Sequence, residues 1–222
     1  MRLSVLIVLL AALAAGCGDA DTPATQPDGP CLGDLPVLRS IKADLDGNGT
    51  DEDVQLTGPR GECGAALRVV ADRSFALVLA GGYDPVPDSL RDLGVGHGDS
   101  HVFLLRSDHP RGGFEVRLFA ITPGRVDELT IDGKPVIPFL AADAPTEHVS
   151  ADCTRHGFTV TEAVAHQPVG IVAAWDVYRT AYEVDGNYLT RGDRTEVADN
   201  VLEDELPAKY PDVVENRLFP GC

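Results

Sequence analysis

Positive charge is what this chain has least of: 18 Lys and Arg stand against 35 Asp and Glu, for a net charge of −17. So acidic a surface repels phosphate backbones and anionic headgroups, which argues against a nucleic-acid partner, and it attracts divalent cations. Beyond the N-terminal residues there is no apolar run near the roughly 20 residues that a spanning helix needs. Catalytic signatures are missing too. There is no Gly-x-Ser-x-Gly, no P-loop and no dinucleotide fingerprint, and no Ser/His/Asp or Cys/His triad can be assembled, so no residue is assigned as catalytic. Helical periodicity is confined to 202–218, where Pro207 and Pro211 interrupt it. Cysteine is sparse at five residues, and no two of them have the C-x₂-C spacing that zinc sites favour.

What is present begins at the N-terminus. Met1 and Arg2 precede an apolar stretch over 3–15, and small residues close it. A charged start, an apolar middle and a small-residue end are the order of a secretory signal, and the stretch is too short to span a bilayer. Ala14-Ala15-Gly16-Cys17 resembles the lipobox of bacterial lipoproteins. That resemblance implies a signal peptide over 1–16, cleavage before Cys17, lipidation of Cys17, and a place on the extracytoplasmic face of the bacterial cell membrane. The membrane is then the first partner, reached through lipid. One acyl chain anchors only marginally, and a diacylated cysteine supplies the second. The alternative is an ordinary cleaved signal with an incidental cysteine. Cleavage leaves 206 of the 222 residues, enough for one good core or two small ones.

Residues 17–35 read as the lipidated cysteine and a flexible tether. The stretch 18–30 is rich in Asp, Thr, Pro and Gly, with no apolar period. A folded extracytoplasmic domain over 36–222 follows. Cys31, Cys63, Cys153 and Cys222 are an even set in an exported chain and read as disulfides, with three possible pairings. Cys31–Cys63 and Cys153–Cys222 are favoured, since each closes a loop within one half of the chain.

From 35 onward short apolar or alternating runs are broken by Gly, Pro, Asp and Asn. Strands are expected over 37–43, 53–56, 66–71, 75–80, 102–105, 114–121, 126–131, 158–165, 175–184 and 188–197. Asp185-Gly186-Asn187 and Asp132-Gly133-Lys134 read as hairpin turns, since Gly, Asn and Asp tolerate positive φ. Close spacing of short strands predicts an all-β fold of mainly antiparallel meanders, arranged as a sandwich or as an incomplete, propeller-like set of sheets.

The segment from Ala43 to Val54 carries the most chemistry. Asp44, Asp46 and Asn48 place side-chain oxygens at positions 1, 3 and 5, and Gly47 and Gly49 let the backbone fold tightly between them. Ca²⁺ takes six to eight oxygens at about 2.3–2.6 Å, and such a loop gathers them around one point. The Thr50 carbonyl serves at position 7, and Glu52 or Asp53 closes the site. Position 12, where an EF-hand carries a bidentate Glu, is Gln55, and the flanks read as strands. The loop therefore resembles the Asp-Leu-Asp-Gly-Asp-Gly loops of the FG-GAP and VCBS repeat families, which carry an acid at position 9, here Glu52. That resemblance covers about 36–130, leaves 131–222 as a separate β half, and implies a Ca²⁺-stabilised β-meander. The competing reading is a solvated turn, in which so many close carboxylates would repel one another without a cation.

Asp92-Leu93 repeats Asp44-Leu45 at 48 residues' distance and again leads into a strand, with Gly94 and Gly96 where Asp46 and Asn48 stand in the first loop. It reads as a degenerate copy that has lost its metal. The layout as a whole resembles uncharacterised lipoproteins of high-GC bacteria. The expected function is a lipid-anchored binding or display module, whose partner is an unidentified protein or glycan at the cell surface. Two alternatives stand beside it. One is a metal-dependent hydrolase using His97, Asp99 and His101, which would share one face of a strand. The other is a small-solute-binding lipoprotein, which needs a deep pocket. Trp175, Tyr178, Tyr182 and Tyr188 do not share one face and are expected in packing rather than in a sugar platform.

Overall fold

The computed structural model describes residues 35–71, 74–79, 85–96, 100–141, 146–166 and 174–222. The signal peptide, Cys17, Cys31, His97 and Asp99 lie outside the described residues, as does the tether apart from Leu35, which is already buried.

The expected all-β architecture is what the chain adopts. Three four-stranded antiparallel sheets follow one another, each a meander in simple sequence order. The first holds β1 (Val37–Ala43), β2 (Glu52–Thr57), β3 (Ala66–Val70) and β4 (Phe75–Val78). The second holds β5 (Arg91–Asp92), β6 (His101–Asp108), β7 (Phe114–Thr122) and β8 (Arg125–Glu128). A small hairpin, β9 (Thr130–Ile131) with β10 (Lys134–Pro135), intervenes. The third sheet holds β11 (Glu147–Thr154), β12 (Gly157–Ala165), β13 (Ala174–Asp185) and β14 (Tyr188–Leu202). Two short helices, α1 (Leu206–Lys209) and α2 (Pro211–Val214), close the chain. Among the described residues no helix is long and apolar enough to cross a membrane.

The turn chemistry accounts for the hairpins. Asp132 and Gly133 both take positive φ, 52° and 72°, between the paired residues Ile131 and Lys134. Gly186, at φ 58°, turns β13 into β14 between Asp185 and Tyr188. Positive φ at a two-residue loop matches the right-handed strand twist. The expected strand over 126–131 is divided at Leu129, which is buried between β8 and β9. Strand β11 was not expected at all; its apolar positions Val149, Ala151 and Cys153 alternate with polar ones but are mostly small, which leaves a weak strand signal. Pro207 and Pro211 sit in the first turns of α1 and α2 and start these helices rather than merely ending one.

Packing follows from the period of two along each strand. On β6 and β7, Val102, Leu104, Val116, Leu118 and Ala120 point one way and join Val149, Ala151, Phe158, Val160 and Tyr182 of the third sheet in one core. Phe103, Leu105, Phe119 and Ile121 point the other way and join Val54, Leu56, Leu67 and Val69 of the first sheet in a second core. The middle sheet is thus covered on both faces, which makes the molecule a three-layer stack of meanders. The outer face of the third sheet buries Ala163, Trp175 and Val177 under Leu206 and Val213 of the helices. Trp175 and Tyr182 are buried on opposite faces, Tyr182 stacks on Phe158 at 5.1 Å, and Tyr188 is exposed.

The disulfide Cys153–Cys222 joins β11 to the last residue, with Cα atoms 5.8 Å apart. Next to it Phe219 is fully buried, and its N–H donates to the Ala151 carbonyl at 2.6 Å. Cys63 is also disulfide-bonded, to a partner outside the described residues.

Candidate metal centre

The β1–β2 turn is built by the pairing of Ala43 with Glu52, which brings the two ends of the acidic loop side by side. Between them Gly47 and Gly49 adopt φ of 69° and 84°, a region open to glycine and strained for other residues. The loop's amides turn inward onto its own side chains. Asn48 N–H donates to Asp46 Oδ1 at 3.1 Å, Gly49 N–H to Asp44 Oδ2 at 2.9 Å, and Thr50 N–H to Asn48 Oδ1 at 2.7 Å. Leu45 N–H donates to Glu52 Oε2 at 2.9 Å, and the Leu45 side chain is buried in the core beneath.

These bonds draw Asp44, Asp46 and Glu52 together, with one carboxylate oxygen from each lying within 4.8 Å of the others. Asp44 Oδ1 is buried and has no hydrogen-bond partner. A buried carboxylate oxygen without a donor is costly, and a cation removes the cost. The donor set is all oxygen, which suits a hard cation rather than zinc or iron. Asn48 lies against Asp46, its Nδ2 donating to Asp46 Oδ2 at 2.8 Å. Between the two acids considered for closing the site, the strand period separates them. Glu52 reaches the cluster. Asp53 points to the other face, where Ser40 Oγ donates to it at 3.1 Å and Lys42 pairs with it at 3.2 Å.

The second loop lies beside the first. Gly94 N–H donates to Asp92 Oδ1 at 2.8 Å, and Gly94 and Gly96 both have positive φ. At Gly96 a Cβ would stand 2.2 Å from the Ser100 carbonyl oxygen, so only glycine fits. His101 links the loops: its Nδ1 is 3.3 Å from Asp92 Oδ2, and it also interacts with Asp44. The bond to Asp92 raises its pKa above the usual value, outweighing the opposing effect of burial. The strand placement of His101 next to Asp92 was not foreseen, because a 48-residue repeat says nothing about lateral proximity.

An open groove of about 780 Å³ adjoins the loop. Asp46, Asn48, Thr50, Asp51 and Glu52 form one side, Val69, Val70, Ala71 and Phe75 the floor, and Pro123-Gly124 of the β7–β8 turn the far wall. It is the mouth between the first and second sheets. No sequence signal pointed to it, since its lining comes from three separate turns.

Comparison with protein-family profiles, curated proteins and solved structures finds no significant match to this chain.

Proposed function

We propose that this chain is a lipid-anchored extracytoplasmic lipoprotein whose β-rich domain is a binding or display module stabilised by Ca²⁺ in the β1–β2 loop. Asp44, Asp46 and Glu52 would hold the ion through carboxylates, with Asn48 and the Thr50 carbonyl completing the set. The bound ion supplies charge compensation and rigidity rather than chemistry. The observation that carries the metal reading is the convergence of one carboxylate oxygen each from Asp44, Asp46 and Glu52 within 4.8 Å, in a cluster whose Asp44 Oδ1 is buried without a hydrogen-bond partner. The anchor reading rests on Ala14-Ala15-Gly16-Cys17 and the apolar stretch before it.

Calorimetric titration of the mature domain with Ca²⁺ tests the metal. Saturable binding of about one ion, lost in Asp46→Ala, is expected, with EDTA lowering the melting temperature of the wild type alone. A domain whose melting ignores both chelation and Asp46→Ala would end the claim. The anchor is tested by radiolabelled palmitate incorporation in a bacterial host: label on the wild type and none on Cys17→Ser is expected.

A further inference from the structure

The mouth between the first and second sheets has an apolar floor, whose accessible surface comes from Val70, Ala71 and Phe75, with Val69 buried beneath. Val69 and Phe75 are cross-strand partners on the inward face of β3 and β4; Val69 is fully buried, while Phe75 at the sheet edge is only partly covered. At about 780 Å³ the groove falls within the roughly 300–1,000 Å³ of small-molecule sites, room for about two or three peptide side chains. One wall carries Asp46, Asp51 and Glu52, and no Lys or Arg is among the described lining residues. Asp51 is exposed and makes no ion pair among the described residues. A dication in the adjacent loop would neutralise only part of this wall, since Asp44, Asp46, Glu52 and Asp51 together bring four carboxylates against two positive charges.

We propose that this groove docks a cationic amphiphilic peptide segment, in which a Lys or Arg side chain meets the Asp46–Asp51–Glu52 wall while a neighbouring apolar side chain covers Val70 and Phe75. The proposal rests on the binding-module reading and names its ligand class. Charge complementarity selects the sign of the ligand, and the apolar floor selects against a purely polar one. An anionic ligand is disfavoured twice, by this wall and by the net charge of −17.

Fluorescence anisotropy on the mature domain tests it, at about 150 mM salt, where exposed charges more than about 8 Å apart are largely screened. The probe is a fluorescein-labelled hexapeptide alternating Lys and Leu. Saturable binding is expected, at least fivefold weaker when Ser replaces Leu and absent when Glu replaces Lys. Asp51→Asn, a surface change outside the metal ligands, should weaken binding at least threefold. Glu183→Gln, exposed on the third sheet, should leave it unchanged. No binding of the Lys–Leu peptide overturns the proposal. So does equal binding of the Lys–Ser peptide, or an equal loss in Glu183→Gln, either of which would reveal diffuse charge attraction. Ca²⁺ titration of the same samples separates the two claims: peptide binding without Ca²⁺ binding sinks the metal alone, and the reverse sinks the groove alone.

Discussion

The imidazole of His148 lies 5.0 Å, centroid to centroid, from the indole of Trp175, and its Nδ1 is buried without a hydrogen-bond partner. The pair sits where β11 and β13 meet the two C-terminal helices. Trp175 Nε1 donates to Glu203 at the end of β14, and His148 also hydrogen-bonds to the backbone of Val214 in α2. Burial pushes the His148 pKa below its ordinary value of 6.5, more strongly than Glu203 and the Val214 backbone raise it.

A pH dependence of stability follows. Because the folded pKa is depressed, the folded state holds the neutral ring while the unfolded chain takes up a proton below pH 6.5. The stability is therefore complete above pH 6.5 and is lost as pH falls toward the lower folded value. The His148 contribution, read as the difference between the urea midpoints of the wild type and of His148→Phe, should decline from pH 8 down to pH 5, while the raised pKa of His101 acts in the opposite sense in both proteins. His148→Phe, which keeps the ring packing, should flatten this part of the profile; a variant with the wild-type slope would exonerate His148.

The middle sheet makes a second prediction. Leu118 and Phe119 are neighbours on β7, yet they lie in different cores. In a sheet with one wet face, only one of two adjacent residues would matter. Here Leu118→Ala and Phe119→Ala should each cost about 3–5 kcal/mol, read as a shift in urea midpoint. A near-neutral result at either position would contradict the three-layer stack.

The C-terminal strap gives a third. The Cys153–Cys222 bond spans 69 residues of sequence. Closing a loop of that size restricts the unfolded chain by about 4 kcal/mol. The double variant Cys153→Ser/Cys222→Ser should lose about that much in denaturant unfolding, while leaving the Cys63 bond intact. Amide exchange at Phe219, whose N–H is held by Ala151, should rise in step.

Gly49 offers a fourth. Its φ of 84° strains any side chain, although a Cβ there would meet nothing within 4 Å. Its N–H also orients Asp44 Oδ2. Gly49→Ala should therefore cost about 1–2 kcal/mol through the backbone alone. If the Ca²⁺ reading holds, affinity in the titration should drop about tenfold, the equivalent of 1.4 kcal/mol.

Much of the architecture was legible along the chain because strands advertise themselves locally. Short apolar or alternating runs over 37–43, 114–121 and 158–165, bounded by turn residues, marked strands, and Asp-Gly at 132–133 fixed a hairpin by its tolerance of positive φ. The acidic loop was legible for the same reason, as alternating oxygen donors and glycines within one turn already determine its shape. Strand β11 escaped although Val149, Ala151 and Cys153 alternate with Ser150, Asp152 and Thr154, because only Val149 among them is a strong strand former and the hydrophobic signal is weak. The choice of Glu52 over Asp53 needed the pairing register, which places Asp53 beside Lys42 on the opposite face.

By itself the sequence determined the strand periodicity, the turns, the acidic loop and the signal-like N-terminus, all of which depend on residues within a few positions of one another. Only the tertiary structure decided that the meanders stack in three layers, that His101 comes to lie beside Asp44 of the first loop, and that a groove opens between Phe75 and the Pro123-Gly124 turn. Those relationships join residues far apart in the chain, and they depend on which sheet face meets which, a choice that side-chain packing makes after the strands have formed.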